Sequence, residues 1–297
     1  MTTIAPAPPT RTAAPAPVEA PRRRIDYALI GLWIGLVVSC LVWLAPFVFM
    51  VLTSLKSTAD INNSSIWSLP KDWQWHNYAD AAERGDLWTV ARNSAYIAVI
   101  KVPLGLLLSA AAAFAIARLR FRWHRGLLIV LTMGAMVPVQ VALAPIFTTL
   151  SSLDLLNSNN GIILPYLAFG IPYQVFFLYG FFRSIPTDLD EAARIDGAGN
   201  LRLFVTVILP LAKPALAALF ILDFVATWNE FGMALVLLQD QTTATVPLAL
   251  QAFQSQFSSN YAQLNAFIVM AILPVLIVYL MFQRFFTQGA LAGAVKG

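Results

Sequence analysis

The sequence predicts an all-α membrane protein with six transmembrane helices and both termini on the cytoplasmic side. Three observations lead there. Of 297 residues, 59% are hydrophobic and only 11% charged, and the mean hydropathy is +0.70. A soluble domain carries about 25% charged residues, so a soluble chain of this composition would lack the polar side chains to cover its surface. Six apolar stretches are each long enough to cross a hydrocarbon core, which takes about 20 helical residues. Lysine and arginine are also shared very unequally among the segments that join those stretches. The single cysteine, Cys40, excludes a disulfide scaffold, and the apolar content excludes disorder over most of the chain.

Residues 1–24 read as a disordered cytoplasmic tail, because 1–21 contain six Pro and six Ala and Arg22, Arg23 and Arg24 follow. The apolar run behind these arginines is about 25 residues long, too long for the h-region of a cleaved signal peptide. Residues 25–297 form the transmembrane domain, with spans at about 28–53, 93–117, 126–149, 161–182, 212–237 and 264–286. Prolines fall inside or at the ends of all six: Pro46, Pro103, Pro138 and Pro145, Pro165 and Pro172, Pro214, Pro274. Lipid tolerates such breaks only where neighbouring helices or a wet cavity satisfy the freed backbone groups, so the spans belong to a packed bundle. Transmembrane strands fit poorly, since the runs are long and lack period-2 alternation. With the N-terminus inside, the cytoplasmic segments hold 14 Lys and Arg, whereas the outer ones hold only Lys56, Lys71, Arg84 and Arg92. That bias predicts N-in, C-in.

The segment between spans four and five, from Arg183 to Pro210, predicts two short helices at the cytoplasmic surface. Thr187 stands where an N-cap belongs, ahead of Asp188, Asp190 and Glu191, whose charges suit a helix N-terminus. Gly197 and Gly199 supply the reversal that ends the first helix, and Asn200 is placed to cap a second that stops near Pro210. Ala192, Ala193 and Ala198 leave room for another surface to approach the backbone. On the residues alone this is either a solvated interfacial linker or a docking segment. Its pattern is Glu191-Ala192-Ala193, three residues, Gly197, nine residues, Val207, one residue, Leu209-Pro210. This resembles the EAA motif of the permeases of binding-protein-dependent ABC importers, with Val207 where that family usually has Ile. Met136-Val137-Pro138-Val139-Gln140, Leu155-Leu156-Asn157-Ser158, Trp228-Asn229-Glu230-Phe231 and the terminal Gly293-Ala294-Val295-Lys296-Gly297 resemble its carbohydrate-importer, maltose-permease-like branch.

The resemblance implies a prokaryotic inner-membrane permease for a sugar or sugar-like solute. It further implies three partners: a second permease, a dimeric cytoplasmic ATPase carrying ATP and Mg, and an extracytoplasmic solute-binding protein. Asp190, Glu191, Ala192, Ala193, Asp196, Gly197, Ala198 and Gly199 would then form a coupling helix against the ATPase, which Gly293 to Gly297 would also reach. No cofactor is expected on this chain, and the residues agree: there is no Gly-x-x-x-x-Gly-Lys-Ser/Thr phosphate cradle, no Gly-x-Ser-x-Gly elbow, and two histidines with one cysteine cannot build a metal cluster. The chain therefore reads as a transport subunit, not an enzyme, with lipid around it and no nucleic acid.

Three charges fall within spans, each costing roughly 2.5–3.5 kcal/mol at a helix centre unless paired or wet. At 1.5 Å per residue, Lys101 lies about 13 Å in from Arg92, and Asp223 about 15 Å in from Lys213 on the opposite face. These depths nearly coincide, so either the two form a buried ion pair or Lys101 snorkels outward while Asp223 faces the pathway. Glu230, two turns beyond Asp223 and on nearly the same face, either lines the pathway beside Trp228 and Asn229 or bonds a neighbouring helix. Gln140 is a further candidate lining residue. The rival functions are an ion-coupled secondary transporter that uses these charges as a relay, a non-transporting scaffold, and a permease for glycerol phosphate, an amino acid or a peptide.

Overall fold

The computed structural model describes residues 27–119, 121–254 and 260–294. The 1–24 tail and Val295, Lys296 and Gly297 lie outside the described residues. The chain forms two compact units, Met1–Pro46 and Phe47–Gly297. In the first, residues 27–46 begin helix α1 (Tyr27–Ser54) with no Asp, Glu, Lys or Arg.

The second unit starts with an outer layer of α2 (Thr58–Asn63) and α3 (His76–Arg84). Ser57 caps α2 through its hydroxyl, and Asp60 Oδ2 accepts the Lys71 backbone N–H at 3.1 Å. That bond holds the Asp60 carboxyl below its usual pKa. Trp67, Trp73 and Trp75 beside these helices and Trp88 in the first turn of α4 (Leu87–Arg118) are exposed, and aromatic side chains of this kind favour a membrane–water interface.

Next come α4 (Leu87–Arg118), the pair α5 (His124–Gly134) and α6 (Val139–Ser152), and α7 (Asn159–Ser184). Helices α4 and α7 are the principal packed pair. The buried face of α4 carries Gly105, Ser109, Ala110 and Ala113 at 3–4-residue spacing; such small residues let backbones approach closely where lipid supplies no hydrophobic drive between helices. Against this face α7 sets Leu167 and Gln174 at Gly105, and its Val175, Leu178 and Phe182 belong to the same buried cluster as Ala110 and Ala113.

The chain then forms α8 (Asp188–Ile195), α9 (Asn200–Leu203), a π-helical turn at Phe204–Ile208, α10 (Leu209–Leu211), α11 (Lys213–Trp228) and α12 (Gly232–Leu237). It ends with the short α13 (Val246–Ala249) and the long α14 (Tyr261–Ala294). The loop after α12 is tied to the start of α4: Asn93 Nδ2 donates to the carbonyls of Thr242 and Ala244, and the Val246 N–H donates to Ser94. Asn157, left-handed at φ 51°, accepts the N–H groups of Gln239 and Asp240 on its side-chain oxygen.

Among the described residues, four helices are long and apolar enough to cross a membrane: Leu29–Ser54, Leu87–Arg118, Asn159–Ser184 and Tyr261–Arg284. Two bent pairs, His124–Gly134 with Val139–Ser152 (95°) and Asn200–Leu211 with Lys213–Trp228 (75°), raise this to six if each pair is one span. The first bend interrupts the continuous run expected at 126–149; the second falls at the start of the run expected at 212–237, which is itself interrupted after Trp228. In the first run, Pro138 takes an extended backbone (ψ 126°) and can donate no helical hydrogen bond. In the second run, α11 stops at Trp228, and Glu230 turns its carboxylate onto the N–H groups of Met233 and Ala234 to start α12.

Gly161, in the first turn of α7, sits so close to Leu155 that a Cβ would collide with the Leu155 carbonyl oxygen, whereas Gly180 has open space around it. Gly161→Ala should therefore cost about 1–3 kcal/mol, since the obstacle is backbone that must shift. Gly180→Ala should be neutral or stabilising by up to about 1 kcal/mol. Thermal unfolding of the full chain in detergent checks the contrast.

Candidate functional site

Two polar constellations stand out, one inside the bundle and one at its α8 end. In the first, Lys101 on α4 donates to Asp223 Oδ1 on α11, with side chains only 5% and 10% exposed. The pair fits because α7 offers a glycine opposite, where a Cβ at Gly170 would approach Lys101 Nζ to 3.0 Å. Asp223 Oδ2 and, one turn on, Thr227 Oγ1 are buried without a hydrogen-bond partner. Glu230 Oε2 accepts from the Tyr166 hydroxyl of α7 at 2.5 Å, and Oε1 accepts from the Met233 N–H at 2.8 Å. These residues line one cavity of about 260 Å³ together with Phe169, Tyr173 and Leu222. One ammonium against two carboxylates leaves this cavity with excess negative charge, with aromatic walls and two free oxygens.

Asp223 and Glu230 share a wall of this cavity, but not by the two helical turns the seven-residue spacing implies, since α11 ends at Trp228. Trp228 and Asn229 do not join them. The Trp228 ring stacks on Phe224 (5.7 Å), and its Nε1 donates to the Ala271 carbonyl of α14 at 3.1 Å. Both residues line a different cavity of about 480 Å³ with Phe231, Pro247 and Ile272. Trp228, five residues past Asp223 on the same helix, projects about 140° away from it, and the break that follows ends the helical register before Glu230. Tyr166 and Tyr173 of α7 supply the aromatic walls instead. Gln140, in the first turn of α6, is exposed.

At the other constellation, α8 has Asp188, Asp190 and Glu191 in its first turn. Thr187 has helical backbone angles and makes no side-chain cap, so the three carboxylates alone complement the N-terminal dipole. Its C-terminus closes on Gly197 at φ +78°, with Gly197 N–H donating to Arg194 O (3.0 Å) and Ala198 N–H to Ala193 O (2.9 Å). A left-handed residue with these two bonds is the Schellman arrangement. The cap of α9 falls on Gly199, while Asn200 Oδ1 accepts from Arg194 at 3.0 Å; that bond occupies the oxygen expected to cap. Glu191, Ala192, Asp196, Gly197 and Gly199 are exposed, and Asp190, Ala193 and Ala198 half-buried. Ile195 (86% exposed) and Leu201 (76%) set two large apolar side chains in the open beside them. Gly293 and Ala294 lie in the last turn of α14.

Arg118, the last residue of α4, escaped the sequence reading. Its Nη2 donates to the carbonyls of Phe182 (2.8 Å) and Ile185 (2.7 Å) where α7 ends, and its Nη1 lies 3.4 Å from Asp190 of α8. The available signal was a basic residue closing a span, where the helix dipole favours a cation.

The family described as binding-protein-dependent transport system inner membrane component matches residues 102–290. The chain is 39% identical over 262 residues to the diacetylchitobiose uptake system permease protein NgcG of Streptomyces coelicolor, which covers 88% of this chain and 84% of that protein. It is 34% identical over 253 residues to the melibiose/raffinose/stachyose import permease protein MelC of Bacillus subtilis, covering 85% and 91%. Among solved structures, a chain of a bacterial ABC transporter involved in the import of the acidic polysaccharide alginate superposes with a TM-score of 0.75 at 26% identity, covering 90% of this chain and all of that one.

Removing one member of the Lys101–Asp223 pair strands the other charge in a low-dielectric interior. Lys101→Met and Asp223→Asn should each destabilise the chain by about 3–5 kcal/mol, and the double variant should recover more than half of that loss. Thermal midpoints of the three purified variants in detergent decide it; a double variant no more stable than either single would count against a coupled pair.

Proposed function

The chain belongs to the binding-protein-dependent transport system inner membrane component family, and on that premise we propose that it is one permease subunit of an ABC importer for a neutral sugar or sugar-like solute. The observation that carries this reading is the exposed α8–α9 segment, where Glu191, Ala192 and Gly197 stand beside the bare apolar side chains of Ile195 and Leu201. A solvent-facing helix with small residues on the approach side and large apolar ones at its tip is incomplete by itself and suits insertion into a cleft of another protein.

In this reading α8 is the coupling helix. ATP and Mg are held by a dimeric ATPase on the cytoplasmic side, a second permease completes the pathway, and an extracytoplasmic binding protein delivers the solute. Six spans with both termini inside put α8 and the 293–297 tail on the ATPase face. Closure of the ATPase pushes on α8 and so biases the bundle between inward- and outward-facing states, which requires that its contact differ between them. Asp223, Thr227, Glu230 and Tyr173 face the solute, whose hydroxyls both donate and accept. A neutral solute is favoured because Lys101 is committed to Asp223, and the remaining carboxylate would repel an anion. The oligosaccharides named for the two relatives above support the same solute class.

Gly197→Val tests the coupling role. Nothing lies within 4 Å of a Cβ there, but a β-branched residue at φ +78° is strained by about 1–2 kcal/mol, which redirects the exit of α8 without touching the bundle. The variant should insert normally, while uptake of a labelled disaccharide by membrane vesicles falls at least about tenfold. Undiminished uptake would overturn the reading, as would solute accumulation against a gradient by this chain reconstituted with no other protein.

A further inference from the structure

We propose that Arg118 is the positioning residue through which α8 moves the bundle, with α4 as the lever. Two routes lead from α8 to the cavity. The covalent one passes through α9, the π-helical turn at Phe204–Ile208, α10 and a 75° bend before α11. A π-turn and a sharp bend are places where a push is absorbed. The other route is non-covalent. Arg118 reaches Asp190 on α8 with one nitrogen and the last carbonyls of α7 with another, its side chain 4% exposed and that of Asp190 14%. Behind Arg118, α4 stays helical as far as Lys101 and beyond, although Pro103 removes one backbone hydrogen bond near the Lys101 end, and Lys101 lies 17 residues back, about 25 Å along its axis. One helix thus carries the α8 contact at one end and the ammonium held by Asp223 in the cavity wall.

The geometry also leaves the link room to act. At 3.4 Å the Arg118–Asp190 pair is longer than the roughly 2.7–2.9 Å of a charge-assisted hydrogen bond. Arg118 Nε and Asp190 Oδ1 are both buried without a partner, an unfavourable state that a tighter pairing relieves. Pressing α8 toward α4 by about half an ångström closes the bond. Ala193 gives α8 a second, purely apolar contact with the core; the charged pair adds direction and a reason for two distinct states. This inference rests on the proposed function only for the identity of what presses on α8.

The test has two parts, and the first needs no partner. In the full-length chain in lipid nanodiscs, Arg118→Gln should raise amide hydrogen exchange across 188–195 by about tenfold, the size expected on losing a largely buried ion pair, with exchange across 93–110 unchanged. Asp190→Asn, which keeps the shape of the side chain, should do the same if Arg118→Gln fails to fold. Unchanged exchange in 188–195 overturns the latch whether or not any ATPase exists. In the second part, tagged chain is purified with whatever ATPase co-elutes, and ATP hydrolysed per disaccharide imported is compared. Arg118→Gln should raise that ratio at least about tenfold, and the charge swap Arg118→Asp with Asp190→Arg should bring it back toward the parent value. A ratio unmoved by Arg118→Gln, with uptake and hydrolysis falling together, overturns the lever and leaves Arg118 as a helix cap.

Discussion

The Lys101–Asp223 pair is the constraint around which the described bundle is organised. A lone charge in this environment is expensive, and neither residue has another charged partner among the described residues. Lys101 can therefore stay buried only while α11 presents Asp223, and α11 only while α4 lies alongside. Gly170 makes the meeting possible by leaving room for the ammonium on the α7 side. The small residues along α4 then allow α7 to close against it, and the cavity is the space left where that packing meets Glu230 and Tyr166.

The broken helices follow from the same economy of polar groups. Each interruption strands backbone N–H groups, and within a bilayer those must find partners inside the protein. Glu230 serves this need directly by accepting the N–H groups of Met233 and Ala234 while it also takes the Tyr166 hydroxyl. One side chain thus restarts a helix and forms part of a cavity wall. At the far end Arg118 plays the matching part for the last carbonyls of α7.

Local sequence features carried a good deal. Apolar run length located the long helices, and the Glu191-to-Pro210 pattern marked the helix–turn–helix on which Ala192, Gly197, Ile195 and Leu201 are exposed. Counting residues from the charged ends put Lys101 and Asp223 at one depth. Where local inference failed, a distant partner decided. Thr187 was a reasonable cap, but its backbone continues into helical geometry; Asn200 was another, but Arg194 occupies its oxygen. Trp228 and Glu230 are close in sequence, yet α11 carries the indole to α14 and the helix end between them sets Glu230 on another course.

From the chain alone come the segments that must leave water and the short motif that must face it, because hydropathy and capping act over a few residues. Which side of each helix meets which neighbour, where Pro138 and Glu230 interrupt the spans, and that Arg118 rather than any residue of the motif joins α8 to α4 were settled only on folding. Those outcomes depend on the rotation of whole helices about their axes, and that rotation is chosen by packing and charge pairing between residues 72 to 122 positions apart in the chain.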